Sequence, residues 1–192
     1  MASQAKKMYR TLLFAPGSRA ELLSKAQLGA ADAMIFDLED SVPLNAKDEA
    51  RKNVQQALAL GLKKPMYLRI SNPRAGDYLA DLGVLANQSL VNVAGVALPK
   101  ADDAQDIETV SKALQEIEIK AGVAVGSLSI LPMIETCLGL RNSFDIAKSS
   151  KRVSGMALAS AEEGDFMVDL GGRWTPRSLA LNYPRSKLVV DS

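Results

Sequence analysis

The sequence contains no histidine and a single cysteine, Cys137, among its 192 residues. Without histidine the chain has no Ser-His or Cys-His nucleophile, and no imidazole can bind a metal. One cysteine excludes an internal disulfide and a cysteine-rich zinc site. Acid–base chemistry is therefore left to Asp, Glu, Lys, Tyr or water, and a metal site would use carboxylate oxygens, which favours Mg²⁺ or Mn²⁺.

Two further absences concern membranes and nucleic acid. No apolar run reaches the roughly 18 residues of a membrane span, and residues 1–8 lack the apolar core of a secretory signal. A formal net charge of +1 provides no strongly basic surface. We therefore expect a globular cytoplasmic protein with no membrane or nucleic-acid partner, preceded by a flexible segment at residues 1–8.

Apolar runs alternate with helical patterns six times along the chain. The apolar runs predict strands at residues 11–15, 33–38, 65–70, 93–98, 127–134 and 153–159. The helical spacing predicts helices at residues 19–28, 45–60, 76–87, 102–120, 138–148, 162–170 and 183–192. This alternation is typical of parallel strands joined by helical crossovers, as in a doubly wound open sheet or a (β/α)8 barrel. No GxGxxG motif follows the first strand, which counts against a dinucleotide-binding open sheet.

Charged side chains gather at the ends of the predicted strands. Because the carboxyl ends of parallel strands share one face, where active sites of barrels form, we expect these side chains to lie together. The group combines acids that suit a cation with basic residues that suit an anion, which indicates an anionic substrate bound through a metal. Its members are Asp37, Glu39, Arg69, Lys100, Glu135, Glu162, Glu163 and Asp165.

Five short motifs occur in a fixed order along the chain. They are RTLLFAPG at residues 10–17, DLEDSV at 37–42, LPK at 98–100, ET at 135–136 and DFMVDLG at 165–171. This series resembles the HpcH/HpaI aldolase and citrate lyase β-subunit family. The resemblance implies an α/β fold, a (β/α)8 TIM barrel, of which residues 1–192 are a single partial domain with about six βα units. We expect the last two strands, and a C-terminal cap with an aspartate that reaches a neighbouring subunit's site, either further along a longer polypeptide or on a partner.

The resemblance also implies an activity. Members of this family are Mg²⁺-dependent carbon–carbon lyases, with Mn²⁺ as a possible substitute, and assemble as homotrimers or hexamers. They cleave a β-hydroxy acyl-CoA, such as citramalyl-CoA, malyl-CoA or citryl-CoA, into acetyl-CoA and a 2-oxo acid. Two alternatives stay open. One is a class II aldolase acting on a free oxo-hydroxy acid, against which the absence of histidine counts. The other is a non-catalytic subunit that binds CoA or an acyl carrier.

Carried over by position, the resemblance assigns roles to individual residues. The resemblance implies Glu135 and Asp165 as metal ligands; Glu163 is an alternative or additional ligand, because residues 160–166 are one residue longer than the family pattern. Arg69 would bind the substrate's carboxylate and oxo oxygen, while Asp37 and Glu39 would hold metal-bound water. The thioester side would be contacted by Pro16, Gly17, Ser18, Arg19 and Lys100.

Several of these residues also have a purely structural interpretation. Pro16 and Gly17 fit an ordinary turn between a strand and a helix. A lone arginine at a strand end, such as Arg69, is commonly part of a surface ion pair. Without a histidine partner, Cys137 is interpreted as a packing residue.

Overall fold

The computed structural model describes residues 9–175, 177 and 179–192. Six parallel strands form one sheet in chain order, which confirms the predicted parallel alternation. The flexible segment expected at residues 1–8 lies outside the described residues. The strands are β1 (Leu12–Pro16), β2 (Ala33–Asp37), β3 (Met66–Arg69), β4 (Val93–Leu98), β5 (Ser129–Ile134) and β6 (Ala157–Leu158).

Helices connect these strands. The α-helices of the described residues are α1 (Ala20–Ala26), α2 (Lys47–Ala59), α3 (Tyr78–Leu82), α4 (Ala104–Ala121), α5 (Cys137–Arg141), α6 (Ser143–Lys148), α7 (Asp165–Leu170) and α8 (Asn182–Asp191). Short 3-10 helices occur at Leu44–Ala46, Pro73–Ala75, Gly83–Leu85 and Leu179–Leu181. None of the helices in the described part of the chain is long and apolar enough to cross a membrane.

Three predicted elements differ from the observed ones. The helix expected at 138–148 is broken at Asn142, whose side chain donates to the carbonyl of Asp102 at 2.8 Å. The helix expected at 76–87 is reduced to α3 and a 3-10 turn, and it starts after Gly76 because that residue has a φ of 108°. In place of the strand expected at 153–159, Val153 forms an isolated bridge and the chain rejoins the sheet only at Ala157.

The sheet has apolar side chains on both faces. The larger core lies between the sheet and the helices and includes Met34, Phe36 and Leu68. The opposite face carries a smaller cluster, to which four neighbouring strands contribute one residue each: Ile35, Tyr67, Ala97 and Met133. Because side chains alternate along a strand, residues two positions further along β2, β3 and β5 continue this second face.

Contacts across this second face show that the sheet is curled, with the second face on its concave side. The hydroxyl of Tyr67 in β3 lies 3.5 Å from Ser154 Oγ, just before β6. In a flat sheet, three strand spacings would separate them by about 14 Å. Since the strand order also has no reversal, which a doubly wound sheet requires, the chain forms an α/β fold with six parallel strands in a curled sheet, consistent with part of a TIM barrel.

Candidate functional site

Three charged side chains continue the concave face at the carboxyl ends of the strands. Asp37 is the last residue of β2, Arg69 is the last residue of β3, and Glu135 follows β5 directly. They stand two positions beyond Ile35, Tyr67 and Met133, the apolar residues of the inner cluster. Because side chains alternate along a strand, two acids and an arginine lie on the concave face at the carboxyl-end rim of the sheet, directly beyond the apolar cluster.

Asp37 and Arg69 form a buried bidentate ion pair. Arg69 donates from Nε to Asp37 Oδ1 at 2.7 Å and from Nη2 to Oδ2 at 2.6 Å, and the exposed fractions of the two residues are only 1% and 9%. Burial alone would raise the pKa of Asp37, but the hydrogen bonds and charge of Arg69 hold it below its usual range. The surface ion pair considered for Arg69 is thus replaced by a buried one.

Asp37 also shapes the loop that follows β2. Its carboxylate accepts the N–H of Glu39 at 2.8 Å and both the N–H and the hydroxyl of Ser41. Glu39 is thereby turned toward Arg69, whose Nη1 lies 3.2 Å from Glu39 Oε2. The alignment of this ion pair is not that of a hydrogen bond, so the buried Oε2 accepts none from the described residues. Burial, together with Asp40, raises the pKa of Glu39.

Lys100 contacts acids from three separate parts of the chain: Glu39, Glu135 and Asp165. Its Nζ lies 2.8 Å from Asp165 Oδ2 and 3.0 Å from Glu39 Oε1, while its backbone N–H donates to Glu135 Oε2 at 2.9 Å. Burial would lower the pKa of Lys100, but its carboxylate partners raise it, so the side chain stays an ammonium. Burial, reinforced by the charge of Glu39, raises the pKa of Glu135 to about 7.

A cavity of about 390 Å³ opens beside these groups and brings together four of the residues singled out in the sequence: Arg69, Glu135, Glu163 and Asp165. Phe14 also lines it, with its ring 5.1 Å from the Arg69 guanidinium carbon. Asp40 lines both this cavity and a neighbouring one of about 380 Å³, which Glu39 and Lys100 border. Sequence reasoning gave Phe14 and Asp40 no role in the site, although both stand in the quoted motifs.

The turn at the end of β1 packs tightly against the end of β2. Gly17 donates its N–H to the carbonyl of Asp37 at 2.8 Å, and a Cβ there would lie 2.9 Å from that oxygen and from Leu38 Cδ2. Arg19 is exposed and pairs with Glu21 at 2.5 Å. Pro16, Gly17, Ser18 and Arg19 are absent from the lining of the 390 Å³ cavity. The geometry favours the turn interpretation for Pro16 and Gly17, and their thioester contact stays a prediction.

Two residues that sequence reasoning missed hold the loops in place. Lys47, from the start of α2, is buried and donates to the carbonyls of Leu38 and Glu39. Asn72 donates from Nδ2 to the carbonyls of Pro99 and Lys100 at 2.9 and 3.1 Å. Neither contact has a sequence signature, because each joins a side chain to main-chain oxygens of a separate loop.

The donor set suits a hard divalent cation. Glu135 and Asp165 offer carboxylate oxygens to one cavity, and Mg²⁺ is commonly held by one or two carboxylates plus water and substrate. Within the described residues, no group of three or more acids or cysteines is assembled tightly enough to form a complete cation cage. The arrangement therefore fits a metal that keeps open positions for substrate oxygens, rather than one enclosed by protein.

Comparison with known proteins extends this picture. The family model for HpcH/HpaI aldolase/citrate lyase matches residues 10–191. The chain belongs to this family. It is 35% identical to the citrate lyase subunit beta of Haemophilus influenzae over 95% of this chain and 62% of that protein. It is 33% identical to the L-malyl-CoA/beta-methylmalyl-CoA lyase of Cereibacter sphaeroides over 86% of this chain and 52% of that protein.

A solved structure of the same family has the same fold. The protein CitE from Mycobacterium tuberculosis, in complex with magnesium and acetate, is 26% identical and superposes with a TM-score of 0.72, covering 94% of this chain and 67% of that one. Another structure of that protein holds magnesium, acetoacetate and coenzyme A. The chain spans between 52% and 62% of the length of the two curated relatives named above.

Proposed function

We propose that this chain is part of a divalent-metal-dependent carbon–carbon lyase. Its substrate would be a β-hydroxy acyl-CoA thioester (citramalyl-CoA, malyl-CoA or citryl-CoA), cleaved into acetyl-CoA and a 2-oxo acid. The observation that carries the proposal is the meeting of Glu135, Asp165 and Arg69 in one concave cavity at the carboxyl ends of the strands. The citrate lyase and malyl-CoA lyase relatives support the same reaction class, and the curled sheet supports completion to an eight-stranded barrel.

Glu135 and Asp165 would hold Mg²⁺, or Mn²⁺ in its place, with Glu163 as the neighbouring acid. The bound cation would supply Lewis-acid polarisation of the oxygens of a 2-hydroxy or 2-oxo carboxylate. Lys100 would orient Asp165 through its ammonium and Glu135 through its backbone N–H. The protein thus holds both acids at set positions before the substrate enters.

Arg69 would bind the carboxylate or oxo oxygen of the substrate. Asp37 takes the Nε N–H and one N–H of Nη2, so the donors left to face a ligand are the second N–H of Nη2 and those of Nη1, which lies close to Glu39. Asp37, kept ionised by Arg69, would fix the plane of that guanidinium. The ring of Phe14 and the concave wall would exclude water from one side.

Glu39 would accept the proton of the substrate's β-hydroxyl, directly or through one water. Its Oε2 is buried, accepts no hydrogen bond from the described residues, and belongs to a carboxyl whose pKa is raised. Loss of the hydroxyl proton allows the carbon–carbon bond to break: the hydroxyl carbon becomes the carbonyl of the 2-oxo acid and the electron pair leaves on the thioester enolate. The enolate then takes up a proton from water to give acetyl-CoA. Pro16, Gly17, Ser18 and Arg19 would approach the thioester from the β1 side, in a cytoplasmic homotrimer or hexamer.

The test is a cleavage assay on the purified full-length protein with each of the three thioesters, with and without Mg²⁺. Wild type is compared with Glu135→Ala and with Glu108→Ala, an exposed glutamate of α4 outside the cavity. We expect acetyl-CoA and a 2-oxo acid to appear together, only with Mg²⁺, in wild type and Glu108→Ala but not in Glu135→Ala. Free CoA without a 2-oxo acid would contradict the proposal and indicate thioester hydrolysis.

A further inference from the structure

Lys100 has an unusual backbone conformation at the end of β4. Its φ is 50°, in the left-handed region that residues with a long side chain rarely occupy. Such a conformation persists only where the surroundings hold it, and it is common next to functional groups. The contacts that hold Lys100 therefore bear directly on the positions of Glu135 and Asp165, two of the acids that it touches.

Both polar groups of the Lys100 main chain are engaged. The N–H donates to Glu135 Oε2 at 2.9 Å. The carbonyl accepts from Asn72 Nδ2 at 3.1 Å and from Arg74 Nη2 at 2.8 Å. The side chain reaches Asp165 at 2.8 Å. One residue in a strained conformation thus links Glu135 and Asp165 to the loop after β3.

Asn72 is the buried one of the two side chains that donate to the Lys100 carbonyl. It is 5% exposed, whereas the side chain of Arg74 is 46% exposed and is shared with Asp102 and Asp106. Asn72 Oδ1 accepts the N–H of Arg74, and Nδ2 donates to the carbonyls of Pro99 and Lys100. The two N–H groups of Nδ2 therefore join the β3 loop to the β4 loop, while Oδ1 fixes the Asn72 side chain to its own loop.

We propose that Asn72 is a positioning residue that holds Lys100 in its left-handed conformation, so that the Lys100 N–H points at Glu135 and its ammonium at Asp165. Asn72 lines the neighbouring 380 Å³ cavity rather than the 390 Å³ cavity that holds Glu135 and Asp165, so it acts on these two acids through Lys100. When the amide is removed, the Lys100 peptide rotates out of the strained region and its N–H leaves Glu135. The consequence for metal binding rests on the proposed function; the consequence for the Lys100 peptide does not.

Two measurements on the full-length protein test this inference. The first is residue-resolved hydrogen–deuterium exchange of the Lys100 amide. Its exchange can be distinguished from that of β4, because the intervening Pro99 has no N–H. The second is titration with Mn²⁺ alone, followed by the EPR signal of the free ion. The variant is Asn72→Ala, and the matched control is Asn92→Gly at the opposite end of β4. Asn92 also donates to a carbonyl, that of Leu62 at 2.7 Å, and glycine keeps its φ of 64°.

In Asn72→Ala we expect the Lys100 amide to exchange at least about tenfold faster, and Mn²⁺ affinity to fall by about tenfold, as for loss of one buried hydrogen bond. Asn92→Gly should change neither. Unchanged Lys100 exchange in Asn72→Ala, or equal acceleration in the two variants, would overturn the inference. Wild type that binds no Mn²⁺ would instead overturn the metal-dependent function, while the exchange rates would still decide the role of Asn72.

Discussion

Arg69 and Asp37 face each other across β2 and β3, in register, and share two hydrogen bonds of 2.7 and 2.6 Å at the rim of the concave face. This pairing makes the arginine a fixed part of the site, because a planar guanidinium held along one edge has a single orientation. It also restricts what the arginine can offer to a ligand, since only the Nη1–Nη2 edge remains.

Replacement of Arg69 by lysine removes the pair of hydrogen bonds to Asp37 while keeping the positive charge. We expect kcat/KM for the cleaved thioester to fall by about 100-fold, equivalent to about 2.7 kcal/mol, because an ammonium cannot hold Asp37 and a substrate oxygen in the same geometry. Steady-state kinetics measure the effect. Arg51→Lys is the control: Arg51 donates from Nε to the buried Asp81 at 2.9 Å, outside the 390 Å³ cavity. Equal loss of activity in both variants would show that Arg69 acts only through stability.

Lys47→Met is expected to lower kcat without abolishing folding. The buried ammonium donates to the carbonyls of Leu38 and Glu39, and methionine fills the same space without a donor. The loop that carries Glu39 should loosen, with a stability loss of about 1–3 kcal/mol. Lys64→Met is the matched control, since Lys64 donates to the carbonyls of Gly29 and Ala31 away from the cavity. Denaturant unfolding and kcat are measured for both; a similar drop of kcat in Lys64→Met would contradict the positional role.

Gly17→Ala separates a packing role from thioester contact. The added Cβ would lie 2.9 Å from the Asp37 carbonyl oxygen, which belongs to the sheet and cannot move freely. We therefore expect destabilisation of about 1–3 kcal/mol, seen as a lower denaturant midpoint. Gly83→Ala, with open space around its Cβ and a φ of −56°, should be neutral or slightly stabilising. Unchanged stability of Gly17→Ala together with a raised KM would favour the thioester role.

The Glu118–Arg152 pair predicts how stability depends on pH. Arg152 donates to both oxygens of the fully buried Glu118 at 2.7 Å, and the pKa of Glu118 is lowered: burial would raise it, but these bonds and two backbone N–H donors outweigh burial. A lowered folded-state pKa means that the stabilisation is fully present above the ordinary value of 4.5 and is lost as pH falls through the folded value.

Glu118→Gln should therefore destabilise the protein by about 3–5 kcal/mol at neutral pH, because it leaves Arg152 without its buried counter-charge. The difference from wild type should shrink below pH 4.5. Calorimetric Tm values across the pH range measure this. Asp145→Asn, which breaks the exposed pair with Lys148, should change stability by less than about 1 kcal/mol. A wild-type advantage over Glu118→Gln that grows on acidification would refute the assignment.

Local patterns in the sequence were sufficient for much of the fold. Apolar runs and helical periodicity reflect burial on a strand or on one helix face, so they located all six strands and the long helices α2 and α4. These patterns did not predict where elements are interrupted. Asn142 splits a helix because its side-chain amide donates to the carbonyl of Asp102, a residue far away in the sequence, and periodicity carries no information about such a contact. The interrupted sixth strand likewise depends on how residues 153–158 meet β5.

The sequence by itself determined that any metal site must be built from oxygen ligands, because histidine is absent, and that acids and bases would stand at the strand ends. Only the tertiary structure decided which of them meet. The curl of the sheet brings Phe14 to Arg69 and gathers Glu135 and Asp165 around one cavity. The register of β2 and β3 sets the Arg69 guanidinium beside Asp37, and the packing of neighbouring loops brings Asn72 and Lys47 to main-chain oxygens. Such contacts depend on distances across strands, and these are set by the folded backbone rather than by spacing along the chain.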